Sequence, residues 1–288
     1  MKDFIISCDQ TSDLPERIRE KVSTEKMVYM LDSVEFGGNT GRDMTIEEFY
    51  AEMRNGAVAK TSQVTEEEAF RYFDEFASEG MGVLHIPLAA ALSTTSDNCR
   101  KAADRINEKY GETLVYSIDS LSQSGGLGLL ITLAQLKKES GASLKETYEY
   151  AERIKSHVCH YFVVDNLTYL ARGGRISKAS AFLGAVMRLK PLLHTDEIGR
   201  LVPIRKIMSR KKSLNALVEK MEERFNRESD IVYISHGDCI EDAEYVAGLI
   251  REKFGLNPEI IPLCRVVGCH SGPGTVALFF TADTRVEN

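Results

Sequence analysis

Short apolar runs alternate with amphipathic stretches through the first half of the chain. Residues 4–7, 82–86 and 113–118 read as strands. The helical spacing of Ala69, Phe70, Phe73 and Phe76, and of Leu127 and Leu130, predicts helices between and after them. Strands that alternate with helices in this way imply a mainly parallel sheet covered by helices. After Val158 the pattern changes. Residues 161–164, 231–235, 260–263 and 276–281 read as strands, and two long helical stretches, 211–227 and 241–254, separate them. Strands gathered toward the end, with helices on one face, predict an α+β unit with a mixed sheet. No internal repeat is visible.

The length of 288 residues favours two domains, and the change of pattern divides them as 1–158 and 159–288. With 43% hydrophobic and 27% charged residues, no tryptophan and no Pro-rich tract, the chain can bury a sizeable core. Its formal charge of -7 argues against a DNA-binding regulator or any broad nucleic-acid contact, which needs a dense cationic face. The N-terminal apolar run, Phe4 to Ile6, is too short for a signal peptide or membrane span. A cytoplasmic protein with no integral membrane segment is expected. Cys8, Cys99, Cys159, Cys239, Cys264 and Cys269 show no paired short spacing and read as free buried thiols. His157, Cys159 and His160 could recruit Cys269 and His270 as zinc ligands, but neighbouring strand positions 159 and 160 point to opposite faces. No metal site is expected.

Four polar clusters fall where strands end: Thr61-Ser62-Gln63, Leu92-Ser93-Thr94-Thr95, the run from Asp119 to Gly128, and His270-Ser271-Gly272-Pro273-Gly274. Strand carboxyl ends form the binding crevice of open α/β sheets, and hydroxyls there suit an anionic or carbonyl ligand. The competing role is helix capping, by Ser93 or Thr94 before Arg100 and by Thr65 with Glu68. The stretch Ser124-Gly125-Gly126-Leu127-Gly128 invites a dinucleotide reading, yet the third small residue is replaced by Ile131. No Walker spacing occurs, so ATP has no evident cradle. Ser93, His270 and Asp119 could be nominated as a hydrolase triad, but no nucleophile elbow is present. The segment from Asp165 to Ser177 sets Gly173 and Gly174 between Arg172 and Arg175, a turn flanked by charge. It reads either as an exposed basic turn or as a face toward a phosphate-bearing partner, extended by Arg205, Lys206, Arg210, Lys211 and Lys212.

Taken together, Asp9 with Thr11-Ser12-Asp13-Leu14-Pro15, Thr61-Ser62-Gln63, Leu92-Ser93, Ile118-Asp119-Ser120, Leu170 to Ser177, Lys190-Pro191 and His270 to Gly274 resemble the DegV family of bacterial fatty-acid-binding proteins. The resemblance runs over essentially the whole chain. It implies an N-terminal three-layer α/β/α domain, a C-terminal α/β domain, and one long-chain acid buried between them. It further implies a carrier with no cofactor and no catalytic residue of its own, which presents the acid to the ATP-binding subunit of a fatty acid kinase for acyl phosphate formation. Carried over residue by residue, Thr61, Ser62 and Ser93, with adjacent Thr94, hold the carboxylate and His270 joins them. Arg172, Gly173, Gly174 and Arg175 lie toward phosphate or partner. Thr94 and Ser96 stand where the family commonly has Gly and an aromatic residue, and Val64 replaces the usual Pro.

Elementary energetics agree with such a ligand. Burying a carboxylate costs several kcal/mol, and each hydrogen bond to a charged group returns about 1.5–3 kcal/mol. Each buried methylene of the tail adds about 0.8 kcal/mol before ordering costs. The alternative function is a small-molecule enzyme in the same cleft, a serine hydrolase or a kinase of the dihydroxyacetone type.

Overall fold

The computed structural model describes residues 3–177 and 189–286. Its first half runs β1 (Phe4–Asp9), α1 (Glu16–Arg19), β2 (Ser23–Glu25), β3 (Val28–Leu31), β4 (Val34–Gly37), α2 (Ile46–Arg54), β5 (Ala59–Thr61), α3 (Glu66–Ala77), β6 (Gly82–Ile86), α4 (Thr95–Tyr110), β7 (Val115–Ser117), α5 (Ser124–Glu139) and α6 (Leu144–Ile154). The second half runs β8 (Val158–Val163), α7 (Thr168–Arg172), β9 (Leu192–Thr195), β10 (Leu201–Arg205), α8 (Arg210–Arg224), β11 (Tyr233–His236), α9 (Ile240–Phe254), β12 (Glu259–Pro262), α10 (Arg265–Ser271) and β13 (Val276–Thr281). The fold is mixed α/β, with one parallel and one mixed sheet as the hydrophobic pattern predicts.

The parallel sheet has the order β2-β1-β6-β7. On one of its faces α3 and α4 bury Phe73, Cys99, Ala102 and Ile106 against Val83 and Val115. On the other, α5 and α6 cover Ile6, Leu84 and Ile86 with Leu127, Leu130, Ile131 and Ile154. The second sheet has the order β10-β9-β8-β13-β11-β12 and is antiparallel except where β11 meets β12. Along β13 the period-two alternation sends Val276, Leu278 and Phe280 toward α8 and α9, while Ala277 and Phe279 join the core around α5. Helix α5 is therefore a layer common to both sheets. This explains why every residue from Ser124 to Gln135 is buried, on all sides of the helix.

Three features differ from the sequence reading. A small antiparallel sheet, β4-β3-β5, and the pair β9 and β10 were not expected, because their strands are short and partly exposed. The short helices α1, α2, α7 and α10 likewise fall below the length at which periodicity is legible. The glycines opening α5 make room for close packing. A Cβ at Gly126 would lie 1.9 Å from His160 Nε2, and one at Gly128 would lie 2.1 Å from the Asp13 carbonyl oxygen. The capping box of Thr65 and Glu68 is formed, and Thr45 with Glu48 and Ser143 with Glu146 repeat it.

All six thiols are unbridged. No helix among the described residues is long and apolar enough to cross a membrane.

Candidate functional site

The carboxyl ends of β1, β6 and β7 point toward one end of the parallel sheet, and the loops leaving them meet β5, α10 and the α5 face of the second sheet. There they enclose a cavity of about 460 Å³, within the range of small-molecule sites. Two buried carboxylates shape its wall. Asp9 accepts from the Thr11 amide at 2.9 Å, the Thr11 hydroxyl at 2.5 Å and the Leu88 amide at 2.9 Å, which ties the β1 and β6 loops together. Asp13 accepts from Ser124 Oγ at 2.5 Å and the Cys264 amide at 2.8 Å, joining the start of α5 to the segment before α10. Burial pushes both carboxyls upward, and these hydrogen bonds oppose the shift. Asp9 and Asp13 appear in the sequence only as parts of a motif, and their organising role follows from chain paths that no local pattern encodes.

Thr61, Ser62, Ser93, Thr94 and His270 all line this cavity, together with Arg175. Thr61 Oγ1 lies 2.9 Å from His270 Nε2. Ser93 Oγ is 3.0 Å from Thr95 Oγ1 and accepts from the Thr95 amide at 3.2 Å, so one hydroxyl both faces the cavity and steadies the first turn of α4. Ser62 and Thr94 stand at the exposed rim, where the Thr94 hydroxyl donates to Gln63 Oε1. The apolar part of the lining includes Phe162, Leu170, Leu201, Ala277 and Phe279. Ser271 Oγ also faces the cavity, buried and without a hydrogen-bond partner among the described residues. Such an orphan donor is ready for a ligand oxygen.

The basic turn is divided by the fold. Arg172 is exposed, its guanidinium 5.9 Å from the Tyr169 ring. Arg175 turns inward and donates to the Leu92 carbonyl at 3.2 and 2.9 Å, and to the Gly173 carbonyl. It lines the main cavity and also an adjoining one of about 480 Å³, which Gly173, Gly174 and Arg200 share. Gly173 is required for a close approach, because a Cβ there would lie 2.2 Å from His270 Nδ1. Gly174, at φ 74°, makes the turn. Two arginines of the wider basic stretch are held by neighbouring groups. Arg205 pairs with Glu219 at 2.7 Å, and Arg210 is held by Asp242 at 2.7 Å and the Gly274 carbonyl at 2.7 Å.

The hydrolase constellation is not assembled. His270 faces Thr61, and Asp119 accepts from the Ala90 and Leu121 amides at 3.0 and 3.1 Å. Burial and the nearby Arg175 lower the His270 imidazole from 6.5 to about 4. A base lowered on folding stabilises the fold above pH 6.5 and loses that contribution as pH falls toward 4. Urea unfolding of the wild type across that window is expected to lose up to about 3 kcal/mol more than a His270→Gln variant. Parallel pH profiles for the two proteins would show that the imidazole is not held neutral.

The polar clusters are thus gathered at one cavity, and residues 4–283 match the family described as "Uncharacterised protein, DegV family". The chain belongs to the DegV family. A DegV domain-containing protein of Clostridium perfringens is 35% identical over 289 residues, covering 99% of each chain. A fatty acid-binding protein of Thermotoga maritima is 31% identical, covering 94% of this chain and 95% of its own. Among solved structures, a fatty-acid-binding DegV family protein of Thermus thermophilus superposes with a TM-score of 0.84 at 26% identity, over 97% of this chain and 99% of the other. A Streptococcus pneumoniae fatty acid kinase B3 protein loaded with linoleic acid has the same fold, with a TM-score of 0.85 at 19% identity over 98% and 100%. The family relationship expected from the motifs therefore holds over the whole DegV chain.

Proposed function

We propose that this DegV protein binds one long-chain fatty acid in the 460 Å³ cavity, with its carboxylate at the Thr61, Ser93 and His270 end. The observation that carries this reading is one cavity whose lining combines apolar side chains with hydroxyl, imidazole and guanidinium groups. Ser62 and Thr94 would complete the head-group shell from the rim. Arg175 would supply the positive charge that makes burial of an anion tolerable. The fatty-acid-binding relatives support the same ligand class. A bound C14 to C18 acid is expected in an organic extract of protein purified from a bacterial host, detected by mass spectrometry. A lipid-free extract of correctly folded protein would argue against the proposal.

The carrier role extends this reading. The acid would be presented to the ATP-binding subunit of a fatty acid kinase, and this chain would perform no phosphoryl transfer itself. Arg175 lines both the proposed acid cavity and its neighbour, Gly173 and Gly174 line the neighbour, and Arg172 is exposed beside them in sequence, so this side is the proposed docking surface. A cytoplasmic location and a division into domains 1–158 and 159–288 belong to the same proposal.

The head-group assignment has its own test. Ser62→Ala combined with Ser93→Ala is expected to weaken acid binding at least about tenfold, since a hydrogen bond to a charged group contributes about 1.5–3 kcal/mol. Both act on one carboxylate, so the two losses should not add. Unchanged affinity in a folded double variant, measured by displacement of a fluorescent acid, would move the head group elsewhere.

A further inference from the structure

The face of the parallel sheet that meets α3 and α4 carries a polar patch beside its apolar residues. Parallel register aligns Ser7 with His85 and Asp9 with Glu25, so all four side chains share that face. Cys99 approaches it from α4, where it is fully buried in the same layer. A carboxylate oxygen of Glu25, a ring nitrogen of His85 and the Cys99 sulfur all lie within 4.8 Å of one another, and all three residues are buried. Glu25 Oε2 and His85 Nε2 are 3.9 Å apart, too far for a hydrogen bond, and neither atom has a hydrogen-bond partner among the described residues. Two inward-facing polar atoms left without partners in a dry layer are costly unless something joins them.

We infer that Glu25, His85 and Cys99 form a binding site for a borderline transition-metal cation of the zinc class. Carboxylate, imidazole and thiolate are a donor set zinc accepts. Three atoms mutually within 4.8 Å leave a centre about 2.8 Å or less from each, so inward shifts of about half an ångström or more reach zinc bonding distances. Charge also balances, because one carboxylate and one thiolate neutralise a divalent ion and the imidazole stays neutral. His85 Nδ1 lies 2.9 Å from Ser7 Oγ, which can accept from it as an outer-shell partner and leave Nε2 to bind the metal. Glu25 also lines a surface groove of about 620 Å³, shared by Glu35, Glu68 and Glu75 and by Lys26 and Arg71, through which an ion would enter. A water from that groove would fill the fourth position.

The Cys99 thiol binds as thiolate and gives its proton to solvent, and Glu25 binds as carboxylate, so metal uptake is linked to proton release.

The test is titration of chelator-stripped, full-length protein with Zn²⁺, and separately with Co²⁺ as a spectroscopic probe. One equivalent is expected to bind, raise the melting temperature and, with cobalt, give a thiolate charge-transfer band. Cys99→Ser should abolish that band, Glu25→Gln should weaken binding more than about a hundredfold, and Ser7→Ala should weaken it about tenfold or more. Circular dichroism establishes that each variant is folded. Failure of the wild type to take up a stoichiometric ion, or uptake that survives unchanged in Cys99→Ser, would overturn the assignment.

Discussion

Gly128→Ala is expected to lower the urea midpoint sharply or to prevent folding. In an ordinary helix the substitution gains about 1 kcal/mol of helix propensity. Here the new methyl would lie 2.1 Å from the Asp13 carbonyl oxygen, a backbone atom fixed by the β1 turn. Asp13 is held on the other side by Ser124 and Cys264, so relief requires α5 to move away from the sheet. Overpacking of this kind costs about 1–3 kcal/mol and sometimes more, which outweighs the propensity gain. Since Ser124 at the head of α5 lines the 460 Å³ cavity, the recovered protein should also hold less of the proposed acid. A midpoint equal to or above that of the wild type would mean that α5 shifts freely.

The second large effect is expected at Arg285, a charged residue only 2% exposed. Its guanidinium donates to the Val158 carbonyl at 3.0 Å, the Lys155 carbonyl at 2.7 Å, Ser122 Oγ at 3.1 Å and the Leu121 carbonyl. Burial lowers it from 12.5 to about 10, which still leaves it charged at neutral pH. Arg285→Met keeps most of the volume but strands several buried acceptors, each costing about 1–3 kcal/mol, less the desolvation of the lost charge. A net loss of about 3 kcal/mol would lower the melting temperature by about 5–10 °C. Arg285→Lys should recover part of it, and a melting temperature unchanged by either substitution would show that water replaces the guanidinium.

The regular elements were legible because their burial is periodic. Helix α3 shows its apolar stripe in Ala69 and Phe73, and β6 is five consecutive buried residues. The clustering of Thr61, Ser93 and His270 was also legible, through residue types at strand ends and the family motifs. Arg175 was not separable from Arg172, since three positions in a glycine turn do not reveal which guanidinium faces inward. Arg285 carries no signal at all. A lone arginine near a C-terminus reads as solvated surface, and only the tertiary path brings four acceptors to it. Gly126 and Gly128 gave a misleading signal, because glycines that admit a phosphate and glycines that admit a neighbouring chain look alike in sequence.

Helix α5 is covered by the parallel sheet on one side and the mixed sheet on the other. The two halves consequently cannot part like the covers of a book, because such a motion would strip an apolar helix of one of its two roofs and expose Leu127, Leu130 and Phe279 to water. Loading and unloading of the proposed acid would then proceed by breathing of the rim, where Ser62, Gln63 and Thr94 are already exposed. Exchange should accordingly be governed by short loops and respond little to viscosity or crowding, which oppose large hinge motions.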